Sequence, residues 1–323
     1  MCTAITFHSK DHYFGRNLDL EYHYSEAVTI MPRNYHLPIR MEEKFCSRYA
    51  IIGMATVDNR YPLYYDATNE YGLSIAALNF PGNAVYNKPL PGMQNITPYE
   101  LIPWLLGKCK TLADAKSVLK TVNLIDLPYS EEYPLTPLHW LLADQTGSVT
   151  LEPTKSGLEI IDNPVGVLTN NPPFAYHMIN LQNYMHLSPN QPENKIYPDI
   201  PLSHYSNGMG ALGLPGDLSS TSRFIRAVFT KSNCIPELTE DASINQFFHI
   251  LDSVYQPYGC VKVGNAYERT QYSCCCNMDT GVYYYTTYEN RQITAISLNK
   301  AELNCEKLII YPLKKQQQIR YEN

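Results

Sequence analysis

Cys2 directly follows the initiator methionine, so removal of Met1 would make it the first residue of the chain. Its α-amine and its thiol would then be attached to the same Cα atom. An α-amine titrates near about pH 7.7–8.0 and a free thiol near about 8.5, so at neutral pH an unprotonated amine could accept the thiol proton. Cys2 could therefore act as a nucleophile that carries its own base. The alternative is a thiol that only fills a strand position.

Arg16 and Asp19 form a charged pair within the strand-like apolar run FGRNLDLEY. An arginine close to Cys2 would favour the thiolate over the thiol. Asp19 could accept a hydrogen bond from the α-amine and fix its orientation. A spacing of three places two side chains on opposite faces of a flat strand, so this interpretation requires a bulge or bend near Asn17. The alternative is a surface ion pair worth about 0–1 kcal/mol.

Two asparagines end apolar runs that precede prolines: Asn79 in SIAALNFP and Asn170 in VGVLTNNP. An amide or backbone N–H that points at a developing oxyanion contributes about 2.7–4 kcal/mol to catalysis. Both residues are therefore candidates for an oxyanion site. Asparagine near proline is also ordinary turn chemistry, and each residue alone fits that alternative.

Arg223 lies near the start of the predicted helix STSRFIRAVFTK, where the helix dipole disfavours a cation. A role outside the helix would explain its position, and a solvated helix face is the alternative. The histidines are dispersed, and the sequence has no HExxH, no GxSxG and no glycine-rich phosphate loop. Metal-dependent hydrolysis, serine hydrolysis and nucleotide chemistry are therefore unsupported.

The elements that must position these residues alternate in type along the chain. The runs TAITF and HYFGRNLDL predict two strands, and EAVTIMP, RYAIIGMATV and YGLSIAALNF predict three more. Apolar residues at helical spacing between Thr97 and Val122 predict two helices with a break between Gly107 and Thr111. A strand meander at 138–168, two helices and several C-terminal strands follow. This order predicts packed layers with two antiparallel sheets, in one domain of residues 1–323.

Composition limits the class of protein. The formal charge of −6 argues against a nucleic-acid partner, and no run of apolar residues approaches the roughly 18 needed for a membrane span. Nine cysteines, an odd number, do not suggest a disulfide framework, and with no secretory signal we expect a cytoplasmic protein. Cys274, Cys275 and Cys276 lack the gaps of a zinc-ligand pair, so they predict a buried strand. A thiol-rich metal or redox protein is the least favoured alternative.

Seven segments together resemble the choloylglycine hydrolase family, and most closely its bile salt hydrolases: MCTAITF, FGRNLDLEY, YPLYYDATNEYGLSIAALNFPG, LHWLLAD, VGVLTNNPPF, LGLPGDLSSTSRFIR and YYYTTYEN. The resemblance covers essentially the whole chain in order. It implies an α+β fold, the four-layer αββα sandwich of N-terminal-nucleophile hydrolases. It also implies a nucleophile, two residues that position and polarise it, an oxyanion-hole side chain and a second arginine of the charged cluster: Cys2, Arg16, Asp19, Asn170 and Arg223.

Position 79 matches a further oxyanion-site residue, at which penicillin V acylases usually have tyrosine and bile salt hydrolases have asparagine. Asn79 therefore favours hydrolysis of the amide that joins a bile acid to glycine or taurine, without a metal or organic cofactor. The resemblance implies that Cys2 attacks this carbonyl while Asn170 and the backbone of residue 79 stabilise the oxyanion. The alternatives are a penicillin V acylase or other N-acyl amidase of the same fold, and a non-catalytic bile salt binding protein.

A steroid body requires a mainly apolar wall with few polar anchors. Position within the family suggests seven lining residues, for which ordinary core or rim packing is the alternative: Leu18, Leu20, Tyr24, Tyr65, Phe80, Tyr129 and Tyr133. The Pro- and Asn-rich excursion at 187–207 resembles the segment through which family members build a homotetramer. It is therefore the predicted assembly loop.

Overall fold

Seventeen strands and five α-helices build the framework of the protein in the computed structural model, which describes residues 1–42, 45–197 and 199–323. In chain order the strands are β1 (Cys2–His8), β2 (His12–Leu20), β3 (Ala27–Met31), β4 (Ile51–Asp58), β5 (Tyr61–Asn69), β6 (Ser74–Asn79), β7 (Gln94–Ile96), β8 (Val122–Leu124), β9 (Leu138–Asp144), β10 (Gly147–Thr154), β11 (Gly157–Asp162), β12 (Val167–Leu168), β13 (Val261–Val263), β14 (Ala266–Asn277), β15 (Val282–Thr287), β16 (Thr294–Ser297) and β17 (Ile309–Pro312).

Most of these strands belong to two antiparallel sheets. The first sheet has the order β12-β1-β2-β14-β15-β16, with β13 paired to β14 beside this path. The second sheet has the order β11-β10-β9-β6-β5-β4-β3-β17. The short strands β7 and β8 form a separate parallel pair. Strand β17, near the C-terminus, pairs with β3 at the edge of the second sheet.

The helices cover the outer faces of the two sheets. They are α1 (Leu101–Lys108), α2 (Leu112–Leu119), α3 (Phe174–Leu181), α4 (Ser220–Asn233) and α5 (Glu240–Asp252). Helices α4 and α5 pack on the first sheet, and α1 and α2 pack on the second. One apolar core joins the facing sheets with α4 and α5, and a second core lies between the second sheet and α1 and α2. This arrangement confirms the predicted four-layer αββα sandwich with two antiparallel sheets.

The sequence did not predict β5 and α3. The β5 run YPLYYDATN contains Pro62 and three polar residues, so it lacks a continuous apolar pattern, yet Asp66 in it is buried. Helix α3 buries only Phe174 and His177, too few residues for a helical period. Strand β5 pairs with its sequence neighbours β4 and β6, but the tyrosines of β14 and β15 that donate to its buried Asp66 lie more than 200 residues later in the chain. The predicted pair α1 and α2 and the two later helices are confirmed.

Cys274, Cys275 and Cys276 lie in β14 and are buried, as predicted for a strand that uses cysteine as a small hydrophobic residue. Burial raises the pKa of Cys276 to about 12 and also raises the pKa values of the other two thiols, so all three remain protonated. The neighbouring strand approaches very closely here: a Cβ atom on Gly15 would lie 1.9 Å from the carbonyl oxygen of Cys274. Glycine at position 15 therefore permits the contact between β2 and β14.

The excursion at 187–207 has no helix or strand among its described residues. Several large apolar side chains in it are exposed to solvent: Ile196, Tyr197, Ile200, Leu202 and Tyr205. Within the described part of the chain, no helix has the length and apolar character that a membrane crossing requires.

Candidate active site

Cys2 is the first residue of β1, and its side chain is only 3% exposed. It lines a cavity of about 470 Å³ between the two sheets, together with Arg16, Leu18 and Asn79. Strand pairing places it here, because Cys2 lies opposite Leu18 of the neighbouring strand β2. The candidate nucleophile therefore lies at the wall of a cavity, at the end of a central strand.

Arg16 lies on the same face of the first sheet as Cys2. It precedes Leu18 by two residues, and side chains alternate along a strand, so Arg16 and Leu18 point the same way. The Arg16 guanidinium is buried and donates to the carbonyl oxygens of Tyr65, at 3.1 Å, and Ala77. Burial alone would lower the pKa of Arg16, but the charges of Cys2, Tyr272 and Asp66 outweigh it, and the pKa lies above its ordinary value. Arg16 therefore stays charged beside the thiol.

Asp66 is a buried carboxylate near Arg16 that the sequence did not indicate. It accepts hydrogen bonds from the hydroxyls of Tyr272, at 2.5 Å, and Tyr283, at 2.7 Å, and from the Cys274 thiol at 3.4 Å. Burial raises the pKa of Asp66, while the Arg16 charge opposes that rise. The sequence signal that could have indicated Asp66 is a lone acidic residue within the tyrosine-rich run YPLYYDATN, which forms β5.

Asp19 lies on the opposite face from Arg16, contrary to the predicted bulge near Asn17. The pairing of β1 with β2 runs without interruption from Cys2 to His8, and the irregularity lies on β14, between Thr270 and Tyr272. The prediction of a bend near Asn17 was wrong, because the partner strand β14 absorbs the extra residue. The two charged residues therefore reach the end of β1 from opposite sides of the first sheet.

The Asp19 carboxylate is fully buried. Its Oδ1 accepts a hydrogen bond from the Thr270 hydroxyl at 2.6 Å, and its Oδ2 has no partner among the described residues. Burial raises the pKa of Asp19, while the charges of the N-terminal amine and Arg223 oppose the rise. The unpartnered oxygen is thus available to a further donor.

Met1 is present in the structure, so the nitrogen of Cys2 is an amide. The Met1 ammonium donates to the backbone oxygen of Asp19 at 2.7 Å and to the Glu268 carboxylate at 2.6 Å. Glu268 is nearly buried and was not predicted from the sequence. Burial raises its pKa, while the N-terminal charge opposes the rise. Two carboxylates, those of Asp19 and Glu268, therefore flank the N-terminus.

Arg223 connects the candidate nucleophile to the candidate oxyanion residue Asn170. Its guanidinium donates to the Cys2 carbonyl oxygen, to the Thr3 hydroxyl at 2.7 Å and to Oδ1 of Asn170 at 2.8 Å. Burial lowers the pKa of Arg223, and the charge of Asp19 opposes that effect. These contacts explain why the first turn of α4 contains a cation: the partners of Arg223 are Cys2 and Thr3 in β1 and Asn170 after β12.

Asn170 and Asn79 are in direct contact. Asn170 follows the end of β12, and its Oδ1 accepts from the Cys2 nitrogen at 2.8 Å, while its Nδ2 donates to the Asn79 carbonyl oxygen at 2.7 Å. Asn79 ends β6 in the opposite sheet, and its buried Oδ1 has no partner among the described residues. The structure thus brings both asparagines to Cys2, one from each sheet.

Six of the seven predicted lining residues surround the cavity at Cys2: Leu18, Leu20, Tyr24, Tyr65, Tyr129 and Tyr133. Phe80 lies outside it, because its ring stacks on His139 with the centroids 4.2 Å apart. Further lining residues that sequence reasoning missed come from β5, from the start of β9 and from the segments next to β2, α1 and β9: Tyr22, Leu63, Tyr64, Tyr99, Leu135 and Leu138. The wall is therefore mostly aromatic and aliphatic.

A larger cavity of about 720 Å³ lies at the other end of β1, where Thr6, His8 and Lys231 line it. None of the predicted site residues lies in it. The smaller cavity is the candidate site, because the candidate nucleophile Cys2 meets Arg16 and Asn79 there.

Comparison with known proteins places this site in a family. Residues 2–311 match the family model described as linear amide C–N hydrolases, choloylglycine hydrolase family. The chain belongs to the choloylglycine hydrolase family. A bile salt hydrolase/transferase of Lactiplantibacillus plantarum is 53% identical over 319 residues, covering 98% of both chains. A bile salt hydrolase/transferase of Clostridium perfringens is 39% identical over 330 residues, and the alignment covers 100% of both chains.

Solved structures of other proteins share the fold. A mutant of the conjugated bile acid hydrolase from Clostridium perfringens superposes with a TM-score of 0.92 at 38% identity, with both chains fully covered. Penicillin V acylase from Agrobacterium tumefaciens superposes with a TM-score of 0.75 at 17% identity, covering 95% of this chain and 90% of that one. At that identity the acylase shows the fold alone. The fold is the sandwich of N-terminal-nucleophile hydrolases, and membership of the family makes this chain a hydrolase of amide bonds.

Proposed function

We propose that this choloylglycine hydrolase is a bile salt hydrolase, which cleaves the amide between a bile acid and glycine or taurine with Cys2 as its nucleophile. The observation that carries the proposal is the position of Cys2, at the start of β1, beside buried Arg16 and an aromatic cavity. The relatives at 53% and 39% identity are named as bile salt hydrolases, which supports the same substrate class.

In the proposed reaction, removal of Met1 frees the nitrogen of Cys2 as an α-amine beside its own thiol. The amine takes the thiol proton, and the sulfur attacks the substrate carbonyl carbon to form a C–S bond. Asn170 Nδ2 and the backbone of residue 79 stabilise the oxyanion. The protonated amine then gives its proton to the leaving glycine or taurine nitrogen as the C–N bond breaks. Water hydrolyses the thioester, which releases the bile acid and restores the thiol.

The surroundings of the N-terminus suit this proton transfer. The nitrogen of Cys2 already lies 2.8 Å from Oδ1 of Asn170, which holds it near the candidate oxyanion site. Loss of Met1 removes the ammonium that Glu268 now binds and leaves Oδ2 of Asp19 near the new terminus without a partner. We assign Asp19 the role of accepting a hydrogen bond from the Cys2 ammonium, and Arg16 that of favouring the thiolate.

The cavity supports a steroid substrate over a phenoxyacetyl side chain. A volume of about 470 Å³ between aromatic walls falls in the range typical of drug-sized ligands, roughly 300–1,000 Å³. Asn79 is part of this wall, and a tyrosine at that position, as in penicillin V acylases, would reduce the space. Penicillin V acylase activity is therefore the second candidate.

Release of amine from three substrates tests the substrate class: glycocholate, taurocholate and penicillin V, each incubated with protein whose loss of Met1 has been verified by intact mass. We expect a higher kcat/KM for at least one bile salt than for penicillin V. Faster turnover of penicillin V would contradict the bile salt assignment. Binding of bile salts without release of glycine or taurine would instead support the non-catalytic alternative.

We propose that residues 1–323 act as one catalytic domain and assemble as a homotetramer through the loop at 187–207. Five exposed apolar side chains in this loop support an interface. We expect a tetramer by light scattering, and we expect Leu202→Ser combined with Tyr205→Ser to shift it to smaller species. Ile235→Ser, at an exposed apolar residue outside the loop, is the matched control. A wild-type monomer would refute this assembly.

We also propose a cytoplasmic location. All nine cysteines are free, and reduced thiols are typical of that compartment.

A further inference from the structure

His139 is a buried histidine that the proposed mechanism does not use. It lies in β9, is 0% exposed and does not line the cavity at Cys2. Nevertheless it contacts both segments that carry the oxyanion residues. Its ring stacks on Phe80, which directly follows Asn79, with the ring planes 6° apart. Its Nε2 lies 3.0 Å from the carbonyl oxygen of Thr169, which directly precedes Asn170.

Glu152, in the neighbouring strand β10, holds the other side of the His139 ring. Its Oε1 lies 3.3 Å from Nδ1 of His139 and also accepts from the backbone N–H of Phe174 at 2.9 Å. A carbonyl oxygen only accepts, so Nε2 of His139 carries a proton and donates to Thr169. The other ring nitrogen, Nδ1, faces the Glu152 carboxylate. The ring is therefore fixed on both edges and on one face.

We propose that His139, oriented by Glu152, is a positioning residue that sets the separation between Asn79 and Asn170. This inference rests on the proposed role of these asparagines as the oxyanion site. Asn79 belongs to the second sheet and Asn170 follows β12 of the first, so their separation depends on how the sheets are joined. The contact between them is the hydrogen bond from Asn170 Nδ2 to the Asn79 carbonyl oxygen. Asn171 Nδ2 donates to the Pro81 carbonyl oxygen between the same two segments, and the buried His139 is a further connection between them.

The Asn170 loop is also held by two helices on the side of the first sheet, and His139 is its contact with strand β9 of the second sheet. Ser220 of α4 accepts from the Asn170 backbone N–H at 2.8 Å. His177 of α3 donates from Nε2 to the Asn170 carbonyl oxygen at 2.9 Å. Loss of His139 would remove one of the connections to the second sheet. The Asn170 loop could then shift with α3 and α4 relative to Asn79, while Cys2 stays fixed in β1.

Three variants separate positioning from general destabilisation. His139→Phe keeps a ring that can stack on Phe80 but removes both hydrogen bonds. His139→Gln keeps an amide donor within reach of the Thr169 carbonyl oxygen. Trp140→Phe is the matched control, because Trp140 is equally buried in β9, faces the other core, and its indole N–H has no partner among the described residues.

We expect His139→Phe to lower kcat about 10- to 100-fold with little change in KM, since small displacements of a catalytic group cost up to about 100-fold. His139→Gln should recover part of this loss, and Trp140→Phe should keep the wild-type kcat. The rate at which iodoacetamide alkylates Cys2 should change far less than kcat in all three variants, because the pairing of β1 with β2 and the hydrogen bonds of Arg16, which hold and polarise the thiol, do not involve His139.

An unchanged kcat in folded His139→Phe would overturn the inference. So would an equal loss of kcat and of Cys2 alkylation, which would indicate damage to the whole site. The test uses whichever amide the wild-type protein turns over fastest, penicillin V included. A wrong substrate assignment would thus appear in the wild-type substrate comparison, and a wrong role for His139 would appear only in the variants.

Discussion

Cys2→Ala should abolish hydrolysis of every amide substrate, with kcat/KM reduced by about 10⁴-fold or more, as for removal of other enzymes' nucleophiles. The thiol is the only atom of this residue that the substitution removes, and its 3% exposure places it at the cavity rather than in open solvent. Release of glycine or taurine from conjugated bile salts measures the loss. Intact mass reports in parallel whether the variant still loses Met1.

The matched control is Cys260→Ala, since Cys260 is also a free thiol but is exposed and lies away from the cavity. It should retain full activity. Thermal unfolding of Cys2→Ala should resemble that of the wild type. Full activity in Cys2→Ala, or an active wild-type protein that retains Met1, would refute the mechanism.

Asn170→Ala should lower kcat by about 10²- to 10³-fold, the usual consequence of losing one oxyanion donor. The substitution removes Nδ2, and it also removes Oδ1, which accepts from the Cys2 nitrogen and from Arg223. Steady-state kinetics on a conjugated bile salt would measure the change. KM should change less than kcat, because the lost donor acts on charge that develops only in the transition state.

Asn170→Asp separates the two functions of this side chain. It keeps an oxygen that can accept from the Cys2 nitrogen and from Arg223 but replaces the donor Nδ2 with a second acceptor. We therefore expect Asn170→Asp to be at least as impaired in kcat as Asn170→Ala. Near-normal activity in the aspartate variant would show that the role of Asn170 is to hold Cys2 and Arg223, and that the oxyanion donor lies elsewhere.

Combining a His139 variant with an Asn170 variant tests whether the two residues act through the same site. If His139 acts only by placing the Asn170 loop, His139→Phe should add little to the loss already caused by Asn170→Ala. Two residues that act as one unit show such non-additive effects, whereas independent residues give additive losses. The double variant therefore tests whether the connection between the two sheets acts through the oxyanion site.

Local patterns in the sequence determined most of the elements and the nucleophile. The position of Cys2 after Met1 and the apolar runs of β1 and β2 are readable from neighbouring residues alone. The helical period between Thr97 and Val122 likewise predicted α1 and α2, because an amphipathic helix repeats over a few residues. The order of strands and helices then predicted the layers.

Only the tertiary structure decided how the site residues meet. Arg16 and Asp19 lie on opposite faces because the bulge is in β14, some 250 residues later in the chain, and a partner strand's irregularity leaves no mark on β2 itself. Arg223 reaches Cys2, and Asn170 reaches Asn79, only through the packing of α4 and of the two sheets. Asp66 and His139 are buried polar groups whose partners lie on other elements: those of Asp66 are between 206 and 217 residues away, and those of His139 are 13 and 30 residues away. Their placement depends on register and sheet packing, which local periodicity does not encode.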